Sequence, residues 1–267
     1  MKKEQNGLQI SGKLSGWRVY KIKGVDKTIV ARKGGPTAEQ VKSSPQYEKV
    51  RKFQQEFGAA SVLSKMVRRS LPETLMNKCE SYVSGKLTAR FRLLAEREEG
   101  ETGKRPILLS KNGYLLQGFE FNSKVPLDSV LQTKFLAKTG SIRGQLILHT
   151  HSYVPQEALM PPEGAEYHKI FAHLMMLSDY VYSESEEEYQ ALYPKFHGHF
   201  TTLESDLLPI INISRDPTTT RLSLYEGESV PKETGLLLIK GVVFYKRVNG
   251  KIVEMDKGHA LKITNVL

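Results

Sequence analysis

Cysteine is almost missing from this chain of 267 residues, where Cys79 stands alone. A single thiol excludes an internal disulfide and fits a reducing compartment, or a route out of the cell that bypasses secretion. Long apolar runs are missing too, and nothing approaches the roughly 20 residues that a bilayer crossing needs. The opening MKKEQNGLQISGK has lysines with no apolar stretch behind them, so cytoplasmic synthesis without a secretory signal is expected. The chain has no Gly-x-Ser-x-Gly elbow for a nucleophilic serine. Gly7, Gly12 and Lys13 imitate a phosphate-binding loop, but Leu14 stands where a Mg²⁺-binding hydroxyl belongs, and too little chain precedes Gly7 for the strand such a loop follows. Cys79 falls on the apolar stripe of a helix, where a buried structural thiol is expected. These absences lead to the expectation of a non-enzyme without a cofactor.

What is present is basic charge, placed at one end. Residues 1–70 hold 16 Lys and Arg against 5 Asp and Glu, whereas 71–267 hold 23 against 24. The net charge of +10 therefore resides wholly in the first quarter of the chain. Such asymmetry points to an arm or face that meets something acidic, either nucleic acid or an acidic protein surface. With 39% hydrophobic and 25% charged residues, the rest reads as ordinary globular material with room for a sizeable core.

Short strands are expected over 8–14, 18–22 and 28–32, with a Gly-containing turn between the last two. Thr37 and Gln40 have capping-box spacing, and Ser44-Pro45 has the form of an N-cap followed by proline at the first helical position. Tyr47, Val50, Phe53, Phe57, Ala60 and Val67 then recur at helical spacing. Ser70-Leu71-Pro72-Glu73 restarts the pattern, and Leu75, Cys79, Val83, Leu87, Phe91 and Leu94 continue it, with a bend expected at Ser84-Gly85. A linker is expected over 98–106. Beyond it the texture is β, with Asn-Gly hairpin signals at Asn112-Gly113 and Asn249-Gly250. Strands are expected over 145–154, 208–214, 221–225, 236–248, 251–255 and 260–264. Residues 165–182 fit helix or strand, and strand is preferred. The expected fold class is α+β: a basic β-ribbon arm over 1–44, a helical hairpin over 45–97, and a mostly antiparallel β-sandwich over 107–267.

The stretch GKLSGWRVYKIKGVDKTIVARKGGPTAEQVKSSPQYEKVRKF resembles the opening of a group of bacterial and prophage-encoded proteins. In these a Gly-Lys ribbon leads through an Arg-containing strand into a basic, aromatic helix, and the C-terminal part is a β-sandwich ending in a strand similar to HALKITNV. The resemblance implies the architecture and no activity.

Three readings follow. In the first the chain is a structural subunit, phage-like or appendage-like, that forms homo-oligomers or filaments or joins another structural protein in a virion-like or extracellular assembly. Trp17, Arg18, Tyr20, Lys21, Val30, Arg32 and Lys33 are its arm residues, and the acidic run with Glu184, Glu186, Glu187 and Glu188 is the counterpart on a neighbour. In the second, Lys49, Arg51, Lys52, Lys65, Arg68 and Arg69 contact nucleic acid, with affinity that falls steeply with salt. In the third, His149 with His151 and His197 with His199 form same-face pairs on strands that could hold a metal. The assembly reading is preferred, and no metal site is expected.

Overall fold

The computed structural model describes residues 12–14, 17–21, 27–32, 34–133, 135–140, 142–225 and 230–267. The chain divides into two compact units, Met1–Arg51 and Lys52–Leu267.

In the first unit β1 (Gly12–Leu14), β2 (Trp17–Lys21) and β3 (Thr28–Arg32) form a three-stranded antiparallel sheet in chain order. Val19, Tyr20, Ile29 and Val30 are β-branched or aromatic, the side chains that suit a pleated surface. Helix α1 (Ala38–Ser43) starts on the expected capping box. Gln40 N–H donates to Thr37 Oγ1 at 3.1 Å, and Thr37 N–H donates to Gln40 Oε1 at 2.8 Å. Ser44 departs from expectation because its hydroxyl caps nothing. Pro45 instead opens a 3-10 turn, Pro45–Tyr47, that leads into α2 (Glu48–Ser70).

The second unit has an α+β fold with sandwich-like sheets. Most of α2 belongs to it, followed by α3 (Glu73–Met76) and α4 (Val83–Glu96). The break between the last two lies at 77–82 and not at Ser84-Gly85. Gly85 lies in the first turn of α4, which runs unbroken from Val83 to Glu96, with open space where a Cβ would be. Nor does Ser70 cap α3. Its hydroxyl donates to Val67 O at 2.8 Å and meets His173 Nε2 at 2.9 Å.

The strands of this unit are β4 (Phe135–Thr139), β5 (Gln145–Thr150), β6 (Tyr167–Ser178), β7 (Tyr180–Ser183), β8 (Glu188–Ala191) and β9 (Phe200–Glu204). They continue with β10 (Leu208–Pro209), β11 (Thr218–Ser223), β12 (Thr234–Val248), β13 (Lys251–Glu254) and β14 (Ala260–Val266). The central pair is β6 with β12, antiparallel from Thr234 opposite Ser178 to Tyr245 opposite Tyr167. Strands β9 and β10 flank β6, and β13 and β14 flank β12. A smaller sheet has the order β11-β5-β4, and β7 pairs with β8 as a separate hairpin. Residues 167–178 are therefore strand, as preferred from the sequence.

Alternation along β12 explains the layering. Leu237, Ile239 and Val243 pack with Ala60, Leu63 and Val67 of α2 and with Leu87, Phe91 and Leu94 of α4. Leu236 and Leu238 face the other way, onto Leu146, Leu148 and Leu222 of the small sheet. A strand covered on both faces reads as a nearly unbroken apolar run, which is what residues 235–244 show. The helical pair is thus one layer of the second unit and shares its core. Residues 98–106 lie within this unit, against α2.

The two Asn-Gly pairs behave differently. Asn249 (φ 49°) and Gly250 (φ 78°) take the left-handed conformations of a two-residue hairpin between β12 and β13. Asn112-Gly113, expected as a hairpin, instead joins a helical turn Leu109–Asn112 to a 3-10 turn Gly113–Leu116. There Asn112 Nδ2 donates to Glu98 Oε1 at 2.5 Å, and a Cβ on Gly113 would lie 2.5 Å from Val266 Cγ1. Tertiary packing, not turn geometry, requires that glycine. The strand expected over 208–214 shortens to β10, and the one expected at 221–225 lies at β11.

Candidate functional site

The ribbon of the first unit has two unlike faces. Register sets Trp17 opposite Arg32 and Val19 opposite Val30, and directly opposed residues share a face. Arg18 opposite Ala31 and Tyr20 opposite Ile29 make up the other face. The expected arm residues are therefore split, with Trp17, Val30 and Arg32 on one side and Arg18 and Tyr20 on the other. Lys21 belongs to β2 by its backbone, and Lys33 lies outside the described residues.

Exposure is the main property of this unit. Trp17 is 48% exposed, Tyr20 46% and Val30 59%. Among the side chains described from 17 to 51 none is buried. Inside the unit Arg51 Nη1 donates to Val41 O at 2.8 Å and to Ser44 O at 2.9 Å. That guanidinium ties α1 to the start of α2, a role that sequence patterning did not reveal. Its signal in the sequence is an arginine one turn into a helix that closely follows another helix.

The basic residues of α2 within the second unit do not form a uniform face. Lys52 pairs with Glu101 at 2.9 Å. Arg68 is half-buried, whereas Lys65 and Arg69 stand exposed, one turn apart. In the first unit Lys49 is exposed.

The acidic residues sit at the tip of the β7–β8 hairpin, which turns through Glu184, Ser185, Glu186 and a left-handed Glu187 (φ 54°) before Glu188 enters β8. Glu184 accepts from Lys104 Nζ at 2.9 Å. Glu186, Glu187 and Glu188 remain exposed.

The histidine pairs are brought together in part. The rings of His149 and His151 lie 5.1 Å apart, edge to face, and His149 Nδ1 meets Thr219 Oγ1 at 2.9 Å. His197 stacks on Tyr180 at 5.6 Å and accepts from Ser178 N–H through Nδ1. His199 Nε2 donates to Lys195 O at 2.9 Å. Among the described residues no group of three His, Cys, Asp or Glu could hold a metal. Burial pushes the Cys79 thiol up to about 12, so it is not a thiolate at neutral pH. No helix among the described residues is long and apolar enough to cross a membrane. Compared with protein-family models, with curated proteins and with solved structures, the chain matches none.

Proposed function

We propose that this chain is a non-enzymatic structural subunit that assembles with further copies of itself through its N-terminal ribbon. The observation that carries the reading is a sheet-bearing unit in which no described side chain from 17 to 51 is buried. A small sheet needs a hydrophobic face covered by something to be stable. The Trp17, Val19 and Val30 face supplies the apolar area, at roughly 25 cal/mol per Å² buried. Charge supplies direction rather than strength, because exposed ion pairs contribute only ~0–1 kcal/mol each. Arg32 borders the apolar face, and the exposed Glu186, Glu187 and Glu188 of a neighbouring copy are its complement. A contact between two different surfaces of the same chain propagates head to tail and builds a ring or a filament. That geometry suits a phage-like or appendage component.

Sedimentation and negative-stain microscopy of the full chain and of a form lacking residues 1–35 test this. The full chain is expected to assemble as concentration rises, while the truncated form stays a folded monomer on the core of its second unit. A full chain that remains monomeric throughout, or a truncated form that assembles equally well, overturns the proposal.

A further inference from the structure

The two sheets of the second unit do not close on each other along their whole length. Inward positions on β5 run Leu146, Leu148, Thr150, and the register sets them against Leu222, Thr220 and Thr218 of β11. Leucines fill the gap at one end, where Leu146 and Leu222 are buried in the core. Threonines are too short to do so at the other. A cleft of about 440 Å³ opens there, with Leu148, Ile170 and Leu203 among its apolar walls. That volume lies in the range of small-molecule sites.

Arg215, in the loop before β11, lines this cleft. Its backbone is pinned to Tyr153, donating to Tyr153 O at 2.7 Å and accepting from Tyr153 N–H at 3.3 Å. The guanidinium is poorly satisfied. Its Nε is buried without a hydrogen-bond partner, and Nη2 has only Pro209 O at 3.4 Å. Among the described residues no carboxylate pairs with it. The neighbouring Tyr153 hydroxyl is engaged by His168 Nε2 at 3.1 Å. Burial, with the Arg215 charge adding to it, pushes His168 down to about 4, so that ring is neutral and adds no second positive charge beside Arg215. Glu204 at the rim is taken by Lys169 at 3.1 Å, and Asp206 and Asp216 are exposed.

A planar fork of donors with an empty position, set beside apolar walls, is the arrangement that recognises a carboxylate. We propose that this cleft binds a small apolar monocarboxylate, with its carboxylate on Arg215 and its hydrocarbon body along Leu148, Ile170 and Leu203. Asp206 and Asp216 at the mouth repel a second negative charge, so dicarboxylates are excluded. Assembly through the ribbon does not depend on this site.

Calorimetric titration of the full chain with aliphatic monocarboxylates from butanoate to decanoate tests the proposal, alongside the matching alcohols and dicarboxylates. Affinity is expected to rise with chain length until the cleft is filled, and the alcohols and dicarboxylates are expected to bind about tenfold or more weakly. Arg215→Gln should weaken binding roughly ten- to hundredfold with little change in Tm, the loss of a charge-assisted bond. Thr220→Leu should fill the cleft, abolishing binding while Tm holds or rises. Should Arg215→Gln not fold, Arg215→Lys is read in its place, since it keeps the charge and loses the fork. The proposal is overturned if no monocarboxylate binds, if the folded Arg215 variant binds as tightly as the parent, or if Thr220→Leu leaves affinity unchanged.

Discussion

Glu56, with its side chain fully covered in α2, is gripped by Arg105 through two parallel bonds, Nε to Oε1 at 2.8 Å and Nη2 to Oε2 at 2.7 Å. Gly103 N–H adds a third donor to Oε1 at 2.8 Å. Tyr189 Oη donates in turn to the carbonyls of Gly103 and Arg105, at 3.1 and 2.9 Å. Gly103 has φ +103°, and a Cβ there would come within 2.9 Å of Lys52 Cα. The segment over 98–106, which reads as a linker, is a latch across the helix.

Removing one partner of such a pair strands a buried charge. Arg105→Ala is expected to cost about 3–5 kcal/mol in urea unfolding, far more than loss of the exposed Lys104–Glu184 pair. Burial alone raises the Glu56 carboxyl, but the bonds from Arg105 and Gly103 and the charges of Arg105 and Arg92 outweigh it and hold the carboxyl below its ordinary value. The stability it contributes is present above the unfolded value of about 4.3 and is lost as pH falls through the lower folded one. In Arg105→Ala the acid limb of a stability–pH curve should flatten. An unchanged acid limb would count against the assignment.

Lys240 is 5% exposed in the middle of β12, with Nζ 3.4 Å from Phe135 O and 5.1 Å from the centre of the Phe135 ring. Burial pushes its ammonium down to about 8. Below that pH the folded chain carries a buried charge that the unfolded chain keeps in water, and above the unfolded value of about 10.4 neither does. Lys240→Met should therefore raise stability at neutral pH by about 1–4 kcal/mol. The gain should shrink as pH rises from 8 towards 10. A variant less stable than the parent at neutral pH would show that Lys240 has a role beyond filling space.

His173 bridges helix and sheet, with Nε2 at Ser70 Oγ (2.9 Å) and Nδ1 at Thr202 Oγ1 (2.8 Å). Burial pushes it down to about 4 from an ordinary 6.5, as it does His168. Both groups bind protons more readily unfolded, so their stabilising contribution is complete above 6.5 and falls as pH drops towards 4. Denaturant midpoints across that window should decline in the parent, and less steeply in His173→Gln. Equal slopes for the two would remove His173 as a cause.

On the ribbon, the split of faces predicts unequal effects from two aromatic changes. Trp17→Ser shares its face with Val19 and Val30 and should weaken assembly strongly, whereas Tyr20→Ser on the opposite face should do so much less. Sedimentation at matched concentrations reads the difference. Equal losses would mean that both faces are covered, and the single-face contact would have to be abandoned.

Several elements were legible because their causes lie close together in the chain. Thr37 and Gln40 cap α1 across three residues, and Asn249-Gly250 turns the chain through its own left-handed conformations. The second helical stripe is legible on α4, where Val83, Leu87, Phe91 and Leu94 are buried, whereas Leu75 belongs to the short α3 and Cys79, expected on a helix, lies part-buried in the break between the two. The first departs from expectation in part, with Ala60 and Val67 buried as expected. Phe57, counted on the apolar stripe, is 52% exposed, while Glu56 beside it is buried. Small residues at Ala59, Ala60 and Ser64 let α2 approach its neighbours, and the bonds from Arg105 and Gly103 make a buried glutamate tolerable there. Lys240 is the lone charged residue inside the apolar run 235–244.

The sequence by itself determined the charged N-terminal quarter, the α+β class, the capping box of α1 and the Asn249-Gly250 turn, since each depends on composition or on neighbours a few residues apart. The tertiary structure alone decided that Asn112-Gly113 would lie in helical turns against Val266, which ribbon residues share a face, and that Arg215 would be left with an empty donor between two sheets. Those outcomes depend on strand register and on partners distant in sequence, and periodicity carries no information about either.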